Sequence, residues 1–101
     1  MSVFVCLSEY LVSLDELTSH VADHLAWITG HAASGRVLAA GRQSPPTGGV
    51  ILMRGESREE ILEILATDPY VERGLGRYAV VEFAPRPAPV SAEGFLALLE
   101  G

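Results

Sequence analysis

Residues 36–54 read RVLAAGRQSPPTGGVILMR. Two short apolar runs, RVLAAG over 36–41 and GVILMR over 49–54, flank Gln43-Ser44-Pro45-Pro46-Thr47-Gly48. Proline has no amide proton to give to a ladder and glycine enters turn conformations freely, so the middle segment reads as a turn and the flanks as two strands of a hairpin. A strand half-exposed to water alternates apolar and polar residues, yet positions 37–40 and 50–53 are apolar throughout. Such strands need cover on both faces.

On the N-terminal side, residues 2–12 place Val3, Val5 and Leu7 on one face and Phe4, Cys6, Ser8 and Tyr10 on the other, a strand pattern. Ser13 with Glu16 forms a capping-box signature, and Leu14, Leu17, Val21, Leu25 and Ile28 then recur at helical spacing until Gly35, predicting a helix over about 14–34. On the C-terminal side, Ser57 with Glu60 repeats the signature, and Ile61, Leu62, Ile64 and Leu65 give a short helix ending near Asp68-Pro69. Residues 70–76 read as an irregular turn and RYAVVEF, 77–83, as a fourth strand.

The order is β-α-β-β-α-β, the α+β, ferredoxin-like arrangement in which two helices cover one face of a four-stranded antiparallel sheet. With two-faced apolar strands and helices for one face only, a homodimer or higher homo-oligomer with facing sheets is expected. Pro85, Pro87 and Pro89 suggest an extended connector, and SAEGFLALLE, 91–100, a short C-terminal helix. The expected division is a domain over 1–84 and an appendage over 85–101.

The chain of 101 residues has the length of one domain, and its hydrophobic fraction of 49% is high for a protein with so little interior. No run reaches the roughly 18 apolar residues of a membrane span, and the opening MSVFVCLSEYLVSL has no basic segment before its apolar stretch. Neither export nor membrane insertion is expected. The net charge is −6 and the seven basic residues, all arginines, are scattered, which disfavours nucleic acid as a partner. Cys6 is the single cysteine, which excludes an internal disulfide, fits a reducing cytoplasm and reads as a core residue.

The helix over 14–34 carries His20, His24 and His31. At about 100° per residue His24 falls within the apolar stripe and His20 at its edge, so the three do not converge, and no H-E-x-x-H pattern accompanies them. No metal site and no cofactor are expected. An imidazole on an apolar face needs a hydrogen-bond partner, which leaves His24 either a satisfied core residue or, beside a carboxylate, a general base or acid. Asp68 is the natural partner, although an Asp before proline also makes an ordinary Asx turn. Arg42, at the loop end of its strand, could hold an anionic substrate or stand as a solvated charge. Tyr10 could line an apolar pocket or belong to an interface. Serine-hydrolase, Walker and dinucleotide signatures are absent.

The ordered series His24-Leu25-Ala26-Trp27, Ala33-Ser34-Gly35-Arg36, Ala40-Gly41, Gly48-Gly49-Val50-Ile51, Glu56-Ser57-Arg58-Glu59-Glu60 and Asp68-Pro69-Tyr70 resembles the YCII-related domain family over about residues 2–84. The resemblance implies a dimeric α+β barrel whose sheets enclose a pocket. It also implies that His24 and Asp68 are a catalytic pair, because family members carry a His and an Asp proposed for that role at the matching positions. The wider superfamily includes lactone isomerases, dehydrochlorinases and cofactor-independent monooxygenases, so the implied activity is proton transfer on a small molecule: an isomerase, dehydrochlorinase or related lyase- or hydrolase-type enzyme. Its expected residues are His24 and Asp68 for catalysis, with Arg42, Tyr70 and Tyr10 for substrate binding. The alternative is a non-catalytic ligand-binding or accessory dimer, and a haem or metal site on the helical histidines is a third reading.

Overall fold

The computed structural model describes residues 2–85 together with residues 93, 94 and 97. The rest of the expected connector and terminal helix over 85–101 lies outside the described residues.

Strand β1 (Ser2–Tyr10) is central, pairing antiparallel with β3 (Gly49–Gly55) on one side and β4 (Gly76–Phe83) on the other. Strand β2 (Val37–Arg42) completes the sheet on the outer edge of β3, giving the order β2-β3-β1-β4. This is the α+β, ferredoxin-like sheet expected from the sequence. An irregularity between Val37 and Ala39 shifts the β2 register, so that Ala40 faces Ile51 and Arg42 faces Gly49.

The first helical stretch departs from the expectation of one continuous helix. It comprises α1 (Leu14–Leu17), a 3₁₀ turn over Thr18–His20 and α2 (Val21–Ala33). The Thr18 hydroxyl donates to the Leu14 carbonyl at 3.1 Å, a back-bond that competes with the regular ladder and accompanies the break. Ser13 caps α1 through a bond from the Glu16 amide, as predicted. At the other end of α2, Gly35 adopts φ +83° and a paired set of bonds closes the helix, Gly35 N–H to Ala32 O and Arg36 N–H to His31 O.

Helix α3 (Arg58–Leu65) starts at its predicted cap, with the Glu60 amide bonded to the Ser57 hydroxyl. Glu60, the other half of that signature, also pairs with Arg36 and accepts from the Glu56 amide. The segment expected as an irregular turn after Asp68 begins with one more helical turn, α4 (Pro69–Glu72), because Asp68 can cap it and proline at the first position costs no hydrogen bond.

Helices α2 and α3 lie over one face of the sheet. Phe4, Cys6, Ile51, Met53 and Val80 from the strands meet Ile61 and Leu65 of α3, with Trp27 and Ile28 of α2 packed against them. Fully burying a side chain such as Phe4, Met53 or Ile61 contributes roughly 1.5–3 kcal/mol, so this layer dominates the fold's stability. Burial also pushes the Cys6 thiol up to about 11, which leaves it protonated and unreactive at neutral pH. On the opposite face Val5 stands between Leu52 and Val81, and Val3 beside Phe83; Leu7, Val81 and Phe83 are exposed.

The hairpin loop is latched to β1. The Gln43 amide group donates to the carbonyls of Ser8 and Gly49, the Ser8 hydroxyl accepts from the Gly49 amide, and the Tyr10 amide bonds the Thr47 carbonyl. A Cβ at position 48 would lie 1.7 Å from the Ser8 carbonyl oxygen, so only glycine permits this approach. The latch fixes Arg42 at the end of β2 above Tyr10.

Candidate functional site

Asp68 is the one charged or polar residue fully buried among the described residues. Such a group is held only when its oxygens are met by donors, and the fold supplies three. His24 Nδ1 lies 2.9 Å and the Tyr70 amide 3.0 Å from Oδ1, while the Tyr78 hydroxyl lies 2.5 Å from Oδ2. A carboxylate has no proton to offer, so His24 bonds it through Nδ1–H. The lone pair of the neutral ring then sits on Nε2. Among the described residues Nε2 has no partner.

Each element contributes by a local rule. Asp68 is placed by capping α4, which turns its carboxylate back toward α2. Tyr78 alternates with Val80 on the covered face of β4, so its phenol reaches under the helices. Burial, and then its bond to Asp68, raise the Tyr78 phenol far above its ordinary value, so it serves as a permanent donor. Tyr70, two residues after Asp68, lays its ring on the His24 imidazole with centroids 4.1 Å apart and planes within 4°. Trp27, one turn along α2, stacks toward the imidazole with ring centroids 6.0 Å apart and donates its indole N–H to the Thr67 hydroxyl beside Asp68. The ring is therefore held at Nδ1 and against a face.

His24 keeps 19% of its side chain exposed, and that part lines a cleft of about 210 Å³ between α2 and the ends of β1, β2 and β3. Val21, Leu25, Ile28 and Ile51 make the cleft apolar; Tyr10, Tyr70, Tyr78 and Arg42 bring polar atoms to it. The Tyr10 ring meets Tyr70 edge to face at 6.1 Å, and the Arg42 guanidinium stands 5.9 Å from the Tyr10 ring centre. Burial raises the Tyr70 phenol, with Tyr10 and Asp68 adding to the shift and Arg42 opposing it.

The five residues singled out in the sequence thus occupy one place, four on the wall of the cleft and Asp68 immediately behind it. The histidines of the first helical stretch do not share a ligand: His20 accepts from Arg73 and His31 packs on Trp27. Burial, and then Arg36, lower the His31 pKa. Tyr78 escaped the sequence reading, although its alternation with Val80 already put it on the face of Phe4 and Cys6. Among the described residues no group of three His, Cys, Asp or Glu side chains could hold a metal ion, and no helix is long and apolar enough to cross a membrane.

No curated protein matches the chain in sequence. Among solved structures, the 5-chloro-2-hydroxyhydroquinone dehydrochlorinase of Burkholderia phenoliruptrix, in complex with 2,5-dihydroxybenzoquinone, is similar with a TM-score of 0.66. The match covers 87% of this chain and 96% of that one at 21% identity, a level that speaks for the fold. The family model of the YCII-related domain matches residues 2–84, the whole of the sheet and its helices. The chain belongs to the YCII-related domain family.

Proposed function

We propose that the protein is a small-molecule enzyme in which His24 moves a proton and Asp68 orients and charges it. The observation that carries this reading is the 2.9 Å contact of His24 Nδ1 with the buried Asp68 carboxylate, on a ring whose other nitrogen has no partner among the described residues and lies beside an open cleft. In this role Nε2 removes a proton from a C–H or O–H of the substrate, whose electron pair stays behind as an enolate. The resulting imidazolium is stabilised by Asp68 through Nδ1–H. Returning the proton to a different atom completes an isomerisation; loss of an anionic leaving group such as chloride, which departs with its electron pair, completes an elimination. Tyr10, Tyr70 and Arg42 are the proposed substrate contacts. The dehydrochlorinase of similar fold acts in this chemical territory, which favours elimination or isomerisation on a hydroxylated ring.

Family and sheet together favour a homodimer closed over the bare apolar face, as well as a cytoplasmic location for a chain with one inert thiol. A ligand-binding or accessory module is the second reading, favoured by Asp68 already having a structural task as the cap of α4.

The test is proton exchange. The protein is incubated in D₂O with a panel of hydroxyquinones, cyclic enols and lactones, and exchange is followed by NMR for the wild type and His24→Ala. Exchange should be lost in the variant by roughly two to four orders of magnitude, the usual range for general acid–base catalysis, with oligomeric mass unchanged. Equal exchange in the two proteins would reject His24 as the proton carrier.

A further inference from the structure

The arginines of this protein are not equivalent. Arg36 pairs with Glu60, Arg73 with Asp23, and Arg77 with Glu9, while Arg54 donates to the Gly35 carbonyl and Arg58 to that of Val80. Among the described arginines Arg42 alone has no hydrogen-bond acceptor; its guanidinium stands over the Tyr10 ring and faces the Tyr70 phenol electrostatically. In a chain of net charge −6, acidic partners are plentiful, yet none among the described residues reaches this guanidinium. The latch of the hairpin loop onto Ser8 holds the end of β2, and with it Arg42, over the cleft.

The cleft has the complementary composition. Among the described residues no Asp or Glu lines it, so nothing there repels an anion or neutralises Arg42. Its body is apolar, and its volume of about 210 Å³ falls below the roughly 300–1,000 Å³ of pockets for drug-sized ligands. One uncompensated cation, an apolar body and little room together describe a small apolar molecule carrying a single negative charge.

We infer that the ligand of this cleft is a small apolar monoanion, a carboxylate or enolate, anchored by Arg42 with its body against Val21 and Ile28 and its far end at His24. This deepens the acid/base reading and rests on it. The anchored charge sets the register of the ligand, and the guanidinium remains at hand for the second negative charge that appears when Nε2 takes the proton. Arg42 is then the residue that selects among neutral, cationic and anionic molecules of one shape.

The experiment is a ligand titration without turnover. Wild-type protein is titrated with sodium benzoate, benzamide and benzamidinium chloride at matched ionic strength, following the Arg42 Nε–H and His24 ring signals by NMR. Benzoate should saturate the protein and move both signals, with the other two binding at least roughly tenfold more weakly, the scale of one charge-assisted hydrogen bond. Arg42→Gln should lose roughly tenfold toward benzoate and leave benzamide unchanged. Benzamide binding as well as benzoate, or benzoate binding undiminished by Arg42→Gln, would overturn the inference. The wild-type ranking of the three probes stands by itself should the variant fold poorly. Because benzoate is not turned over, the result is separable from the exchange assay. Loss of anion preference with exchange still dependent on His24 rejects only the ligand class; anion preference with His24-independent exchange keeps the ligand class and rejects the proton carrier.

Discussion

The two faces of the sheet are built from the same strands and nearly the same residue types, yet they meet different fates. On the covered face Phe4, Cys6, Met53 and Ile51 are sealed beneath α2 and α3; on the other, Val81 is 55% and Phe83 42% exposed. Apolar content alone does not decide burial. What decides it is which face the two crossover helices reach, and among the described residues those helices reach only one. The bare face is therefore a surface that the described crossover helices leave uncovered, and a second copy is the occupant we propose for it.

The strongest way to sharpen the contrast is to truncate each face in turn. Phe4→Ala, on the covered face, should cost about 3–5 kcal/mol by urea unfolding, since it leaves a cavity under α3 that rigid neighbours cannot fill. Val81→Asp, on the bare face, should cost the isolated protomer less than about 0.5 kcal/mol, the usual scale for an exposed site. Its effect should appear in assembly instead: sedimentation should report a species near 10.8 kDa in place of a dimer, because an unpaired carboxylate cannot be buried between sheets. A wild type that already sediments as a single chain would break the comparison, leaving the bare face without its proposed cover.

The smallest effect concerns protons. Tyr78 belongs to the covered face, and its folded pKa is raised by burial and then by its bond to Asp68. A raised phenol favours the folded state below its ordinary value near 10 and disfavours it above, where the unfolded chain ionises first. Stability should thus fall above about pH 10, with Tyr78 contributing close to 1.4 kcal/mol per pH unit. Tyr78→Phe should lower that alkaline slope by about one proton's worth; an unchanged slope would assign the proton to another tyrosine.

The strands, their order along the chain and both capping boxes were legible because they rest on local rules: strand-favouring apolar runs, a Pro/Gly turn, and Ser three residues before Glu. The break after Leu17 was not, because Leu14, Leu17, Val21 and Ile28 keep helical spacing straight across it. Spacing is blind to a hydroxyl that back-bonds its own helix, as Thr18 does. At the site, the juxtaposition of His24 and Asp68 came from the order of motifs along the chain. No local rule links residues 44 positions apart. Tyr78 shows the converse loss: strand alternation gave its face, but only the turn of α4 reveals that a carboxylate waits beneath it. Arg42 was legible as a candidate and ambiguous as a charge, since the absence of an acidic neighbour is a fact about space.

The donors around Asp68 also settle how its charge can be studied. Oδ1 receives the Tyr70 amide, which can only donate, and an imidazole nitrogen that donates in the tautomer a carboxylate selects, whereas Oδ2 receives a hydroxyl that can rotate and accept. An asparagine at position 68 would place its carbonyl oxygen where Oδ1 now is and its amino group toward a Tyr78 hydroxyl turned the other way. The three contacts would be kept and the charge would go, while the redirected Tyr78 proton and the second amide proton would each need an acceptor of their own. The molecule therefore carries a nearly isosteric control: Asp68→Asn subtracts the charge beside His24 while keeping an acceptor for the cap of α4, a separation that alanine at the same position could never give.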